Sequence, residues 1–289
     1  MRADSGAARG VPRGAARRAR RALVLAVTSG KGGVGKTFVA ANLAIALARA
    51  GLSTTLLDAD LSLANADVLL GLTPARTIEH FFREHVPLTE IAVEGPGGIR
   101  VIPAGSGIPE LANLPPEEML RFVEGLRAVG ERCEVLLIDT AAGIGDQVSR
   151  ILMLADRTLL VTWPEPAALV DAYAALKVAL RRDPGQEIGL VVNGAADEHE
   201  AGRVHQRLLA AARQFLGRGI DFDGFVPKDD AVAEAARRQA ALVITHPHAP
   251  ASRSIERLAA KVAARARARR LSGASERWHG NEPQPGVQH

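Results

Sequence analysis

The chain has 289 residues, 47% of them apolar, a formal net charge of +4 and one cysteine, Cys133. That length fits one α/β domain of about 240 residues with ragged ends, or at most two small domains, and the apolar share suffices for a sizeable core. A single cysteine excludes an internal disulfide and a cysteine-cluster metal site, argues against an iron–sulfur centre, which needs several thiolates, and fits a reducing cytoplasm.

Residues 1–21 hold seven arginines and one aspartate, a net +6, so the rest of the chain sums to −2. The leader is rich in Ala, Arg and Gly and too poor in apolar residues to fold, so it reads as a disordered basic arm. Its arginines precede Ala-Leu-Val-Leu-Ala-Val, but this run is too short for a signal peptide. No stretch of 18 apolar residues occurs, so no transmembrane helix is expected. The near-neutral body does not read as a nucleic-acid-binding domain.

Leu23 to Val27 is a short apolar run, as in a strand buried on both faces. Then come Gly30, four residues, Gly35, Lys36 and Thr37, the spacing of a phosphate-binding loop. Glycines at 30, 32, 33 and 35 remove Cβ atoms that would keep backbone amides from an anion, and the helix opening near Lys36 adds its positive end. The loop residues Gly30, Lys31, Gly32, Gly33, Val34, Gly35, Lys36, Thr37 and Phe38 are thus the expected nucleotide contacts. Lys36 supplies a charge for the β- and γ-phosphates, and the Thr37 hydroxyl is a hard ligand for Mg²⁺. The helix presents Val39, Leu43, Ala46, Leu47 and Ala50 on one face and stops at Gly51.

Lys31 makes the loop Lys-Gly-Gly-Val-Gly-Lys-Thr. With this second lysine the sequence resembles the deviant-Walker-A ATPases, the MinD/ParA family. The resemblance implies that Lys31 reaches across an ATP-bound homodimer to the partner's nucleotide; a solvated loop lysine is the plainer alternative.

Thr54 to Leu57 is a second strand, ending in Asp58-Ala59-Asp60. Ligands of open parallel sheets sit at the carboxyl ends of strands, so Asp58 becomes an outer partner of Mg²⁺ and Asp60 a holder of the attacking water. Turn or helix-capping chemistry would explain the same two acids. The stretch from Leu61 to Leu72 resembles the first switch of the flagellar-number branch of the family (FlhG, also called FleN), with Ser62 where that branch has glycine.

Residues 77–92 carry helical apolar spacing, and 98–102 form a short strand. A loop follows at 103–107, a linker at 109–114, and a helix from Pro115-Pro116 through Val129. Val135 to Asp139 is an apolar strand ending in aspartate, the form of a Walker B strand, and Asp139 would hold Mg²⁺ through water. Thr140 to Ile144 is a second switch whose Gly143 amide can approach the γ-phosphate. Strands at 158–162, 188–192 and 222–226 alternate with helices at 166–182, 199–215 and 229–238. By resemblance, Asn193 is the adenine-contacting asparagine, and Pro227 with Asp229 belongs to a second base-binding segment. Asparagine after a strand is also a common turn residue.

The last helix spans about 252–266, with a core stripe of Ile255, Leu258, Ala259, Val262 and Ala263. Arg265, Arg267, Arg269 and Arg270 make a basic end that offers weak contact with an anionic membrane or a solvated tail. The eight histidines show no metal-ligand spacing.

The alternation implies a mainly parallel sheet with helices on both faces, a P-loop NTPase of MinD/ParA type. The division is a leader at 1–21, an ATPase domain at 22–270 and a flexible tail at 271–289. The implied activity is Mg-ATP hydrolysis in an ATP-dependent homodimer, in the cytoplasm or at the inner face of the plasma membrane. The implied role is control of flagellar number and placement. The branch's partners are a signal-recognition-type GTPase (FlhF), flagellar C-ring proteins and a flagellar transcription activator. The branch's short N-terminal motif that stimulates the GTPase is not visible in the leader. A partitioning ATPase that binds DNA non-specifically is the alternative function, and a nucleotide-fold adaptor without turnover is a third.

Overall fold

The computed structural model describes residues 22–60, 65–105 and 114–272. The leader, the tail from residue 273, positions 61–64 of the first switch and most of the 109–114 linker lie outside them.

The described residues hold eight strands: β1 (Leu23–Thr28), β2 (Thr54–Ala59), β3 (Val93–Glu94), β4 (Arg100–Ile102), β5 (Val135–Thr140), β6 (Arg157–Thr162), β7 (Glu187–Ala195) and β8 (Asp221–Pro227). They form one sheet in the order β3-β4-β2-β5-β1-β6-β7-β8, parallel except for the β3–β4 pair. β1 is central, with β5 on one side and β6 on the other. The chain first builds outward past β5 and later past β6, so the crevice where strand order reverses lies at the carboxyl end of β1.

Alternate side chains of each central strand serve two cores. Val24, Ala26, Leu136, Ile138, Leu190 and Val192 belong to one; Leu25, Val27, Leu137, Val161 and Val191 belong to the other. On the first face pack α3 (Ile78–Glu84), α5 (Pro116–Gly130), α6 (Asp146–Leu154), α7 (Pro166–Arg182) and α8 (Glu198–Leu216). On the second pack α1 (Lys36–Arg49) and α11 (Pro250–Ser272), with the short α2 (Ala66–Leu69), α9 (Asp230–Arg237) and α10 (Leu242–Thr245) beside them. Burying both faces explains why the parallel strands read as unbroken apolar runs.

Four expectations change. The apolar spacing predicts one buried face for the first helix, but Phe38 through Leu47 are buried without interruption, because α1 lies between the sheet and α11. The 77–92 helix is two pieces, α3 and α4 (Leu88–Ile91), separated by His85 at φ 57° and by Pro87. A proline disfavours helical backbone at the residue before it and brings no N–H of its own. Helix α6, with Val148, Ile151 and Leu152 buried, follows the second switch, a helix that the sequence reading lacks. The last helix runs from Pro250 to Ser272, longer at both ends.

The extra turns of α11 are fastened by the arginines of the basic end. Arg269 pairs with Asp156 at 2.9 Å, Arg270 with Glu134, and Arg265 with Asp221 at 3.5 Å, while Arg267 donates to the Ala50 carbonyl at 3.3 Å. These partners sit beside the starts of β6, β5 and β8 and at the end of α1. The arginines therefore grip the edge of the sheet opposite the phosphate loop instead of forming a free basic tail. No helix of the described residues is long and apolar enough to cross a membrane.

Candidate nucleotide site

The phosphate loop runs from Ser29 to Gly35, between β1 and α1. No side chain caps the start of α1 and its first turn holds no acid, so the amides and positive end of that helix are not satisfied from within. Two glycines are required by packing. A Cβ on Gly30 would lie 2.0 Å from the Asp171 carbonyl oxygen of α7. Gly35 has φ +84°, and a Cβ there would lie 2.2 Å from Asn193 Nδ2. Gly32 and Gly33 face open space. Val34 and Phe38 are buried beneath the loop.

The two lysines differ in setting. Lys31 is exposed. Lys36 is buried, and its Nζ lies 2.8 Å from Asp139 Oδ1 at the end of β5. Asp139 is fully buried, and burial raises its pKa against the opposing charge of Lys36 and the hydroxyl of Thr37. Its second oxygen, Oδ2, has no hydrogen-bond partner.

Strand register sets Asp58 directly beside Asp139. Burial, then the Asp139 charge, pushes the Asp58 carboxyl up to about 7. Three amides oppose the shift: Asp60 donates to Oδ1 at 3.0 Å, and Asn65 and Ala66 donate to Oδ2 at 3.2 and 3.1 Å. Asp58 therefore also performs the turn and capping chemistry that its sequence allowed, holding both sides of the first switch. Asp60 is half-buried, with its amide anchored on Asp58.

The second switch is drawn onto the loop. The Gly143 amide donates to the Ser29 carbonyl at 2.8 Å, which places it against the loop backbone. Asn193 donates through Nδ2 to the Val34 carbonyl at 2.9 Å. Pro227 ends β8 opposite Ala195, one strand over from Asn193. The carboxylate of Asp229 accepts from the amides of Ala231 and Ala251 at 3.0 and 3.1 Å, capping α9 and the start of α11; it is the predicted contact drawn furthest into scaffold work.

Thus Lys36, Thr37, Asp58 and Asp139 converge, and Asn193 joins them through the loop. Two buttresses were not visible in the sequence. The Asp171–Ala172 peptide presses on Gly30, and Gln147 reaches the Ala59 carbonyl at 3.5 Å. Only the glycine at position 30 hinted at the first.

A family model for the CobQ/CobB/MinD/ParA nucleotide-binding domain matches residues 25–243. The chain belongs to the MinD/ParA family. Among its relatives is the antiactivator FleN of Pseudomonas aeruginosa, 40% identical over 240 residues that cover 83% of this chain and 85% of FleN. The flagellum site-determining protein YlxH of Helicobacter pylori is 30% identical, covering 81% and 80%. Among solved structures, the MinD of Pyrococcus horikoshii complexed with Mg-ADP superposes with a TM-score of 0.67 at 21% identity, over 83% of this chain and 95% of that one. This MinD/ParA-family protein is a P-loop ATPase, close to FleN, whose ligands are ATP and Mg²⁺. The residues present fit both. The uncapped start of α1 suits an anion, and Asp139 Oδ2 is the orphaned acceptor that a water on Mg²⁺ would satisfy.

Proposed function

We propose that this ATPase is a switch controlling flagellar number and placement, active as an ATP-dependent homodimer. The observation that carries the reading is the 40% identity to FleN across most of both chains, joined to a loop with one lysine inside and one outside. FleN's designation as an antiactivator favours a flagellar transcription activator among the partners. An SRP-type GTPase such as FlhF and C-ring proteins are the others, with activity in the cytoplasm or at the inner membrane face.

The chemistry leaves the protein mainly positioning and charge stabilisation. Lys36 exchanges Asp139 for β/γ-phosphate oxygens, joined by the loop amides of residues 30–37. Thr37, with Asp139 and Asp58 acting through water, would hold Mg²⁺, which would supply charge neutralisation at the phosphates. Asp60 orients the attacking water. Lys31, exposed, extends to the partner's site and stabilises charge there. Asn193 and Pro227 flank the base, and Asp229 fixes that segment by capping two helices. Residues 22–270 carry this machinery, between a basic leader and a C-terminal tail.

Light scattering with Mg-ATP tests the switch. Asp60→Ala is expected to accumulate as a dimer that does not turn over, and Lys31→Ala to remain monomeric. A Lys31→Ala protein that dimerises and hydrolyses ATP normally would overturn the cross-dimer role.

A further inference from the structure

We infer that Asn193 is a positioning residue for the phosphate loop: it locks the Val34–Gly35 peptide so that its N–H faces the phosphates. The inference rests on reading this loop as the phosphate site.

A trans peptide is planar, with its C=O and N–H pointing to opposite sides. Fixing the Val34 carbonyl outward therefore turns the Gly35 N–H inward, and a nest of such N–H groups is what binds the anion. Left alone, this peptide would rotate cheaply. Gly33 and Gly35 both sit at positive φ, +79° and +84°, and glycine adopts either hand of backbone readily. The lock is the 2.9 Å bond from Asn193 Nδ2 to the Val34 oxygen. A carbonyl only accepts, so the NH₂ of Asn193 must face it. Val34 and Asn193 are 4% and 9% exposed, so water competes poorly for that carbonyl. A Cβ on Gly35 would lie 2.2 Å from Asn193 Nδ2, so the amide takes the space a side chain there would need. The bond spans 159 residues of sequence and couples the end of β7 to the loop after β1. Through it, Asn193 acts on the phosphates of any nucleotide, whatever its base.

The substitutions Asn193→Ala and Asn193→Asp separate this role from base recognition. Aspartate keeps an acceptor for an adenine amino group but cannot donate to Val34. Affinities for Mg-ATP, Mg-GTP and inorganic tripolyphosphate are measured by displacement of a fluorescent ATP analogue, after circular dichroism shows that each variant is folded. Asn193→Ala is expected to weaken tripolyphosphate as well as both nucleotides by about three- to tenfold, as for one buried hydrogen bond, and Asn193→Asp, whose carboxylate also repels the phosphates, by at least as much. A variant that was merely less stable, yet folded, would bind as the wild type does. If Asn193→Ala fails to fold, the isosteric aspartate carries the test. Two results would overturn the lock. One is tripolyphosphate affinity unchanged while preference for ATP over GTP collapses; the other is wild-type affinity of Asn193→Asp for ATP. Failure of the wild-type protein to bind Mg-ATP would instead bring down the reading of the site itself.

Discussion

Asp58→Asn should stabilise the nucleotide-free protein at neutral and alkaline pH, with an advantage that depends on pH in a defined way. The folded-state pKa of Asp58 is raised from 3.8 to about 7 by burial and by Asp139. The folded protein thus retains a proton that the unfolded chain has already released. The penalty is absent below about pH 4, grows as pH rises through about 7, and is constant above that. Three units at about 1.4 kcal/mol each give an upper bound of about 4 kcal/mol. Asparagine offers one acceptor oxygen where the carboxylate accepts three amides, and losing one or two such bonds returns about 1–3 kcal/mol. A net gain of about 1–2 kcal/mol at pH 8 should remain, or about 2–8 °C in Tm for a domain of this size. At pH 5 the gain should vanish or change sign. Urea unfolding of both proteins at pH 5, 6, 7 and 8, without nucleotide or magnesium, measures it. A difference between them that is flat across that range would refute the ionisation argument. Hydrolysis by Asp58→Asn should fall sharply in the same preparation.

Gly30→Ala should cost about 1–3 kcal/mol by overpacking, because its Cβ would meet the backbone of α7. Gly32→Ala, which faces open space, should stay within about 0.5 kcal/mol; equal denaturation midpoints for the two would contradict the packing. Arg269→Ala strips the partner of a carboxylate that is 4% exposed and that also holds the Val24 amide. It should cost about 1–3 kcal/mol, below the full range for a buried pair because Arg269 itself is one-fifth exposed. Arg265→Ala, at a side chain 43% exposed, should cost under about 1 kcal/mol, and differential scanning calorimetry of the two variants checks the order.

The parallel sheet and the phosphate loop were legible because their signals are local. Leu23–Val27 and Val135–Ile138 are uninterrupted apolar runs, Thr54–Leu57 is a short β-branched and apolar run that ends in aspartate, and Lys-Gly-Gly-Val-Gly-Lys-Thr carries its own spacing. What the sequence hid depended on partners distant along the chain. Nothing around Phe38–Leu47 says that α11 will cover the outer side of α1. Nothing near Gly30 names Asp171. Asp58 was legible as a carboxylate at a strand end, but not as the acceptor that ties down Asn65 and Ala66, because that depends on how the first switch folds back. The break at His85 was the exception: Pro87 announced it, and the helical spacing on either side masked it. Arg265, Arg269 and Arg270 read as part of a tail because their acidic counterparts are dispersed from Glu134 to Asp221.

The clasp of α11 orders events during synthesis. Chains emerge and fold from the amino terminus, and β1, α1 and β2 are made early. Yet the outer side of α1 is covered by Ile255, Leu258, Val262 and Ala266, and the anchors on Asp156 and Glu134 come later still. A nascent chain stalled before residue 250 would carry the phosphate loop on a helix whose apolar back is bare to chaperones. ATP would then meet a finished pocket only once the ribosome has delivered the clasp.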